Sequence, residues 1–152
     1  MNYVTGNTHF HMEGPCAVSL GKFDGVHRGH QKLLRHVLSG KDQGLAAVIF
    51  TFEKNPTRML SGLSGQNIVT NEERRRLLED AGVDHLLECP FVPEISLMEA
   101  KTFIKEILVE QLHAAFVAVG EDFRFGHQRR GDFRMLERMG KQYGFQVEVV
   151  EK

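Results

Sequence analysis

Charge of one sign is the first thing this 152-residue sequence lacks: 19 Lys and Arg stand against 20 Asp and Glu. A chain so close to neutral has no net field to draw it to nucleic acid or to an anionic membrane, so neither is expected as a partner. Cysteine is scarce as well. Cys16 and Cys89 lie far apart, too few for a disulfide scaffold and wrongly spaced for a zinc site. No run approaches the ~18 apolar residues a membrane helix needs. Residues 1–15 are polar and rich in His and Gly, without the apolar stretch of a secretory signal. Repeats, low-complexity tracts and linkers are missing too. What remains is ordinary for a globular protein, with 41% apolar and 26% charged residues. The expectation is one cytoplasmic domain spanning 1–152, long enough to bury a real core.

What the sequence does have is strand and helix in alternation. Ala17 to Phe23 reads as a strand. Gln31 to Leu38 carries apolar residues at 33, 34, 37 and 38, one face of a helix. Leu45 to Phe52 is almost wholly apolar, as in a strand buried on both faces. Thr70 and Glu73 have the spacing of a capping box, with Leu77, Leu78 and Ala81 following and Gly82 ending the helix. Asp84 to Phe91 is a further strand. Ser96 and Glu99 predict a second capping box, opening the clearest stripe in the chain, from Leu97 through Leu112. Ala114 to Gly120 and Phe145 to Val150 are strands, with a helix over 131–143 between them. Five strands interleaved with helices predict a parallel, Rossmann-like α/β sheet covered on both faces.

In such sheets ligands bind beyond the carboxyl ends of the strands. The segments there read "GKFDGVHRGH" (21–30), "TFEKNP" (51–56) and "GEDFRFGHQRRGD" (120–132). All three combine charge with an aromatic residue. Taken singly, His27 or His30 reads first as a surface or satisfied core residue, and with His9 and His11 as a zinc ligand set. The context points elsewhere. Gly21 and Gly25 permit tight turns, and Gly29 stands where a helix begins, a place whose unpaired amides attract phosphate. Two imidazoles there can donate to a phosphate that gains charge during reaction. Asp24 is read as a turn cap, an imidazole partner or a Mg²⁺ contact. Phe123 and Phe125 flank Arg124 and share one side, core packing being the expected role for one of them. Arg58 and the run Arg74-Arg75-Arg76 read as solvated surface.

The segment Gly21-Lys-Phe-Asp-Gly-Val-His-Arg-Gly-His30 resembles the signature of the nucleotidyltransferases with an HxGH element. "TFEKNP", "VTNEERRRLLEDAGVD" (69–84) and above all "ILVEQLHAAFVAVGEDFRFGHQRRGD" (107–132) narrow the resemblance to the FMN adenylyltransferase module of bacterial bifunctional FAD synthetases. It runs from about Ala17 to the end. It implies transfer of AMP from ATP to FMN, giving FAD and pyrophosphate, with Mg²⁺. It implies His27 and His30 at the ATP phosphates, and Gly21, Phe23, Asp24 and Gly29 around the nucleotide. Asn55, Pro56, Asp122, Phe123, Phe125 and Arg129 would face the flavin. Related transferases with another phosphate acceptor, and a non-catalytic flavin- or nucleotide-binding module, are the alternatives.

Two departures accompany the resemblance. Lys54 and Asn55 stand where the family has Pro and His. The family's later Ser/Thr-rich motif ending in Ile-Arg has no counterpart, since no Ser or Thr follows Thr102. The expectation is a domain incomplete at its C-terminus, either a fragment of a longer protein that also carries a riboflavin kinase domain or a natural short form.

Overall fold

The computed structural model describes residues 1–21, 28–53 and 71–151. Six strands form one sheet in the order β1-β4-β3-β2-β5-β6: β1 (Asn2–Thr5), β2 (Cys16–Leu20), β3 (Ala46–Glu53), β4 (His85–Pro90), β5 (Ala114–Gly120) and β6 (Gln146–Val150). Every pairing is parallel. Parallel neighbours need crossovers, and the helices supply them: α1 (Arg28–Ser39), α2 (Asn71–Ala81), the short α3 (Pro93–Ser96), α4, and α5 (Phe133–Tyr143). Helix α4 opens with one α turn, Ala100–Thr102, and continues through Phe103–Gln111 with π winding, so that Leu112 N donates to Ile107 O five residues back at 2.9 Å.

Strand alternation divides the core in two. Val18, Leu20, Val48, Phe50 and Leu87 face α4 and α5, where they meet Phe103, Ile107 and Leu136. Ala17, Ala47, Ile49, Leu86 and Ala118 face α1 and α2 and meet Leu33, Val37 and Leu78. Strand β2 is buried along its whole length, as expected of an interior strand of a sheet covered on both faces. The chain moves from β2 to β3 and β4 on one side, then returns to place β5 and β6 on the other. The switch point therefore falls between β2 and β5.

Three expectations change. The sheet has a sixth strand, β1, in the polar N-terminal stretch; it pairs with β4, Tyr3 opposite Leu86. Ser96 opens no helix. It closes α3, which starts at Pro93 because proline is preset for a first helical turn, and α4 restarts after an extended Glu99 that makes no side-chain cap bond. Leu97 thereby leaves the stripe and is 63% exposed. Arg74 and Arg75 are not solvated surface. Arg74 Nη2 lies 3.2 Å from Glu88 Oε1, with the side chains only 16% and 5% exposed. Arg75 Nη2 donates to the Tyr3 hydroxyl at 2.9 Å, and its guanidinium sits 3.8 Å from the Tyr3 ring centroid. Thr70, of the first capping box, and Arg58 lie outside the described residues.

Candidate active site

A cleft of about 530 Å³ opens at the carboxyl edge of the sheet, across the switch point. Its floor comes from strand ends: Leu20 of β2 and Gly21 after it, Phe52 of β3, Gly120 of β5 and Val150 of β6. A ligand in it therefore meets four strands at once. Ligands of open α/β sheets bind in such crevices because the crossovers part there.

One wall is aromatic. Phe52, Phe91, Phe103, Phe123 and Phe125 all line the cleft. The rings form a connected set: Phe52 meets Phe91 edge-on at 5.7 Å and Phe103 at 5.8 Å, and Phe103 meets Phe125 at 5.5 Å. Phe123 and Phe125 are stacked at 5.8 Å with 16° between planes, as alternation about Arg124 requires. Phe125 is buried and Phe123 half-buried, so the first is the core contact and the second offers its face. Edge-on and stacked arrangements let such rings pack without repulsion between their π faces.

The loop that carries these rings, 121–131, is fixed by two glycines. Gly126 has φ +79°, and a Cβ there would lie 2.7 Å from Ala100 Cα; only glycine lets the loop sit this close on the start of α4. A Cβ on Gly131 would meet the Phe125 ring at 2.6 Å. Residues 125 and 131 bond each other in both directions, at 3.1 and 2.8 Å. Asp132 then caps α5, its Oδ1 accepting from Met135 N at 3.0 Å, and its other oxygen lies 3.5 Å from Arg124 Nη1. The "RRGD" stretch thus serves the loop and the helix together.

Polar groups complete the lining. Helix α1 starts at Arg28, which places Gly29 in its first turn, and His30 lines the cleft beside Gly21. Asp122 and Glu151 supply carboxylates, and Arg124 and Arg129 supply guanidinium groups. Of the residues singled out in the sequence, Gly21, His30, Asp122, Phe123, Phe125 and Arg129 meet in this cleft. His27, Phe23, Asp24, Asn55 and Pro56 lie outside the described residues. Phe52, Phe91, Phe103 and Glu151 join the cleft without having been singled out; the signal for Phe52 and Phe91 was their place at strand ends. The thiols take no part. Burial pushes Cys16 up to about 12, and burial followed by the nearby Glu94 carboxylate does the same for Cys89, so neither forms the thiolate that nucleophilic chemistry needs near neutral pH.

Among the described residues no three His, Cys, Asp or Glu side chains converge as a metal site, and no helix is long and apolar enough to cross a membrane.

Known proteins carry this pattern. The curated bifunctional riboflavin kinase/FMN adenylyltransferase of Escherichia coli K12 is 37% identical over 134 residues, covering 87% of this chain and 43% of its own. Its counterpart from Haemophilus influenzae is 36% identical, covering 88% of this chain and 44% of its own. The chain thus spans less than half the length of these relatives. A crystal structure from Streptococcus pneumoniae, of a protein named there as a macrolide-efflux protein, superimposes with a TM-score of 0.76 at 25% identity, covering 99% of this chain and 50% of that one. The family model for FAD synthetase matches residues 9–152, nearly the whole length, and the chain belongs to the FAD synthetase family.

Proposed function

We propose that the cleft binds ATP and FMN together and transfers AMP from the first to the second, releasing FAD and pyrophosphate. The observation that carries this reading is the joining, at one switch point, of a phenylalanine wall with the α1 N-terminus and His30. The wall suits a flat apolar ring system such as isoalloxazine. The first turn of α1 suits phosphate. In this reading Phe123 offers its face to the flavin, Phe125 supports it from the core, and Asp122 and Arg129 hold polar edges of the ligand. Asn55 and Pro56 complete the flavin side, and Gly21, Phe23, Asp24 and Gly29 the nucleotide side.

The chemistry asks little covalent work of the protein. A phosphate monoester has a second pKa of ~6, so FMN arrives as a dianion and needs no general base. A phosphate oxygen of FMN forms a bond to the α-phosphorus of ATP, and the bond from that phosphorus to the bridging oxygen of the β-phosphate breaks. Negative charge grows on the transferring group and on the departing pyrophosphate. His30, with His27, donates hydrogen bonds there, and positioning with charge neutralisation supplies the catalysis. Asp122 and Glu151 are the cleft carboxylates that would hold Mg²⁺, an ion that takes one or two carboxylates and otherwise water and substrate phosphates. When bound with ATP it offsets the charge of the phosphates. The names of the relatives support a riboflavin kinase domain as partner, and two unpaired thiols agree with a reducing, cytoplasmic setting.

FMN fluorescence followed over time tests the reading. FAD is dimmer than FMN because its adenine stacks on the flavin. A slow loss of signal that requires Mg²⁺-ATP is the expected outcome. In a preparation that turns over, His30→Ala lowers the rate by ~10²-fold or more while FMN affinity changes little. An immediate, ATP-independent change alone would make the chain a flavin binder without transfer. Full activity in both His27→Ala and His30→Ala would remove the role given to the histidines.

A further inference from the structure

Loop 121–131 carries three arginines, and the fold provides partners for two of them. Arg124 lies against Asp132 at 3.5 Å. Arg130 Nη2 donates to Gln128 Oε1 at 2.7 Å. Arg129 is exposed at the cleft wall, and among the described residues no carboxylate or side-chain amide pairs with its guanidinium. The cleft's own carboxylates, Asp122 and Glu151, leave it unpaired as well.

The backbone that presents Arg129 is unusual. Gln128 and Arg129 both have φ of +56°, a left-handed conformation that residues with a Cβ disfavour. Two such residues in succession persist where the surroundings over-determine them, and that happens preferentially at ligand clamps. Here the surroundings are firm on both sides. Upstream, Gly126 lies on Ala100 with no room for a Cβ, and His127 N donates to Met98 O at 2.8 Å. Downstream, Gly131 is locked to Phe125 and Asp132 caps α5. The loop is held at each end, and the strained pair in the middle sets a planar, permanently charged fork at the rim of the cleft.

An unpaired guanidinium carried on a fixed backbone matches a phosphate, which it can meet through two parallel hydrogen bonds. We propose that Arg129 is the specificity-determining residue that reads a ligand phosphate in this cleft, and that by its place on the same loop as Phe123 and Phe125 it distinguishes a flavin phosphate from an unphosphorylated flavin. The proposal rests on the adenylyl-transfer reading for the identity of the ligand, though not for the phosphate chemistry itself, which ATP also carries.

The test compares the parent chain with Arg129→Ala, Arg129→Gln and Arg129→Lys, each checked by thermal melting, for binding of FMN, riboflavin, ATP and inorganic pyrophosphate. Flavins are followed by fluorescence anisotropy, and the other two by calorimetry. The parent should prefer FMN to riboflavin. In Arg129→Ala and Arg129→Gln, FMN affinity should fall ~10-fold or more, as for loss of a hydrogen bond to a charged group, to near the riboflavin value, with riboflavin unchanged. Arg129→Lys should recover part, since it keeps the charge without the fork. If ATP and pyrophosphate weaken instead of FMN, the phosphate read is the nucleotide's. If the parent binds no flavin while pyrophosphate binding still depends on Arg129, the flavin reading fails and the phosphate role stands. If none of the four ligands distinguishes the variants from the parent, the proposal is overturned.

Discussion

Arg74-Arg75-Arg76 in α2 and Arg129-Arg130 in the loop after β5 look alike as sequence, and the fold treats them in opposite ways. At α2 two of the three guanidinium groups turn inward. Arg74 reaches the buried Glu88 on β4, and Arg75 covers the Tyr3 ring on β1. In the loop, Arg129 turns to a cleft and, among the described residues, meets no carboxylate. The difference lies in what the sheet offers. Glu88 stands in register with both Thr51 of β3 and Thr5 of β1, and a carboxylate buried there needs a cation. The end of β5 carries Glu121 and Asp122 beside its glycine and aromatic rings, yet among the described residues neither pairs with Arg129, and that cation is left for the anion of a ligand. One cluster holds an edge of the fold together; the other leaves a charge available for binding.

The sharpest way to break this contrast is to remove one half of the buried pair. Glu88→Ala takes the buried carboxylate away from Arg74, whose side chain is only 16% exposed. Loss of one partner of a buried pair costs about 3 kcal/mol or more, or roughly 6–12 °C in Tm for a chain of this size. Urea or thermal melts measure it. FMN affinity of the folded variant should stay near the parent value, since Glu88 is not among the residues lining the cleft. A loss below ~1 kcal/mol would mean that Arg74 and Glu88 behave as an ordinary surface pair.

The next effect is smaller and depends on pH. The Tyr3 hydroxyl has its pKa raised, first by burial and then by its hydrogen bond to Glu88. The folded state thus holds the proton more tightly than the unfolded chain, whose tyrosines ionise near ~10. The resulting stability is fully present below that value and is lost as pH rises through the folded pKa. Tyr3→Phe should therefore flatten the decline of Tm on the alkaline side. Near pH 7 a double-mutant cycle of Tyr3→Leu with Arg75→Ala should show a coupling of ~0.5–1 kcal/mol, typical of a cation over an aromatic face. An additive cycle would leave the Arg75 contact without energetic weight.

Much of this arrangement was legible in the sequence, and what was hidden was hidden for physical reasons. Strands β2 to β6 announce themselves as strand-like runs between turn residues, and α1 by its spacing, because each must bury its own side chains. The carboxyl-edge rule then finds the cleft segments without any contact information. Strand β1 is short and mixed, NYVT, and gains its place only by pairing with β4 more than eighty residues on. Nothing local reports that. Arg74 and Arg75 are the same kind of failure: a charge run reads as solvated surface until a carboxylate and a ring arrive from other strands. At Ser96 two local signals compete, and Pro93 wins because its fixed φ starts a helix earlier. Of the site, His30, Phe123 and Phe125 were marked by motif, whereas Phe103 reads in sequence as core stripe and its second role as cleft wall appears only once the loop folds onto α4.

The smallest expected effect completes the contrast. Arg129→Ala removes a charge that has no partner among the described residues, so its stability should lie within ~0.5 kcal/mol of the parent, as for surface substitutions away from special features. The backbone at this position is left-handed with either side chain, so Ala neither adds to nor relieves that strain. Arg76→Ala, exposed on α2, provides the matching control from the other run and should be equally silent. Three arginine-to-alanine melts, at 74, 76 and 129, then separate the two regions. A large loss at 74 with none at 76 and 129 places the structural cation in α2. A large loss at 129 would mean that the loop itself depends on that guanidinium, and that its charge is engaged in the fold before any ligand arrives.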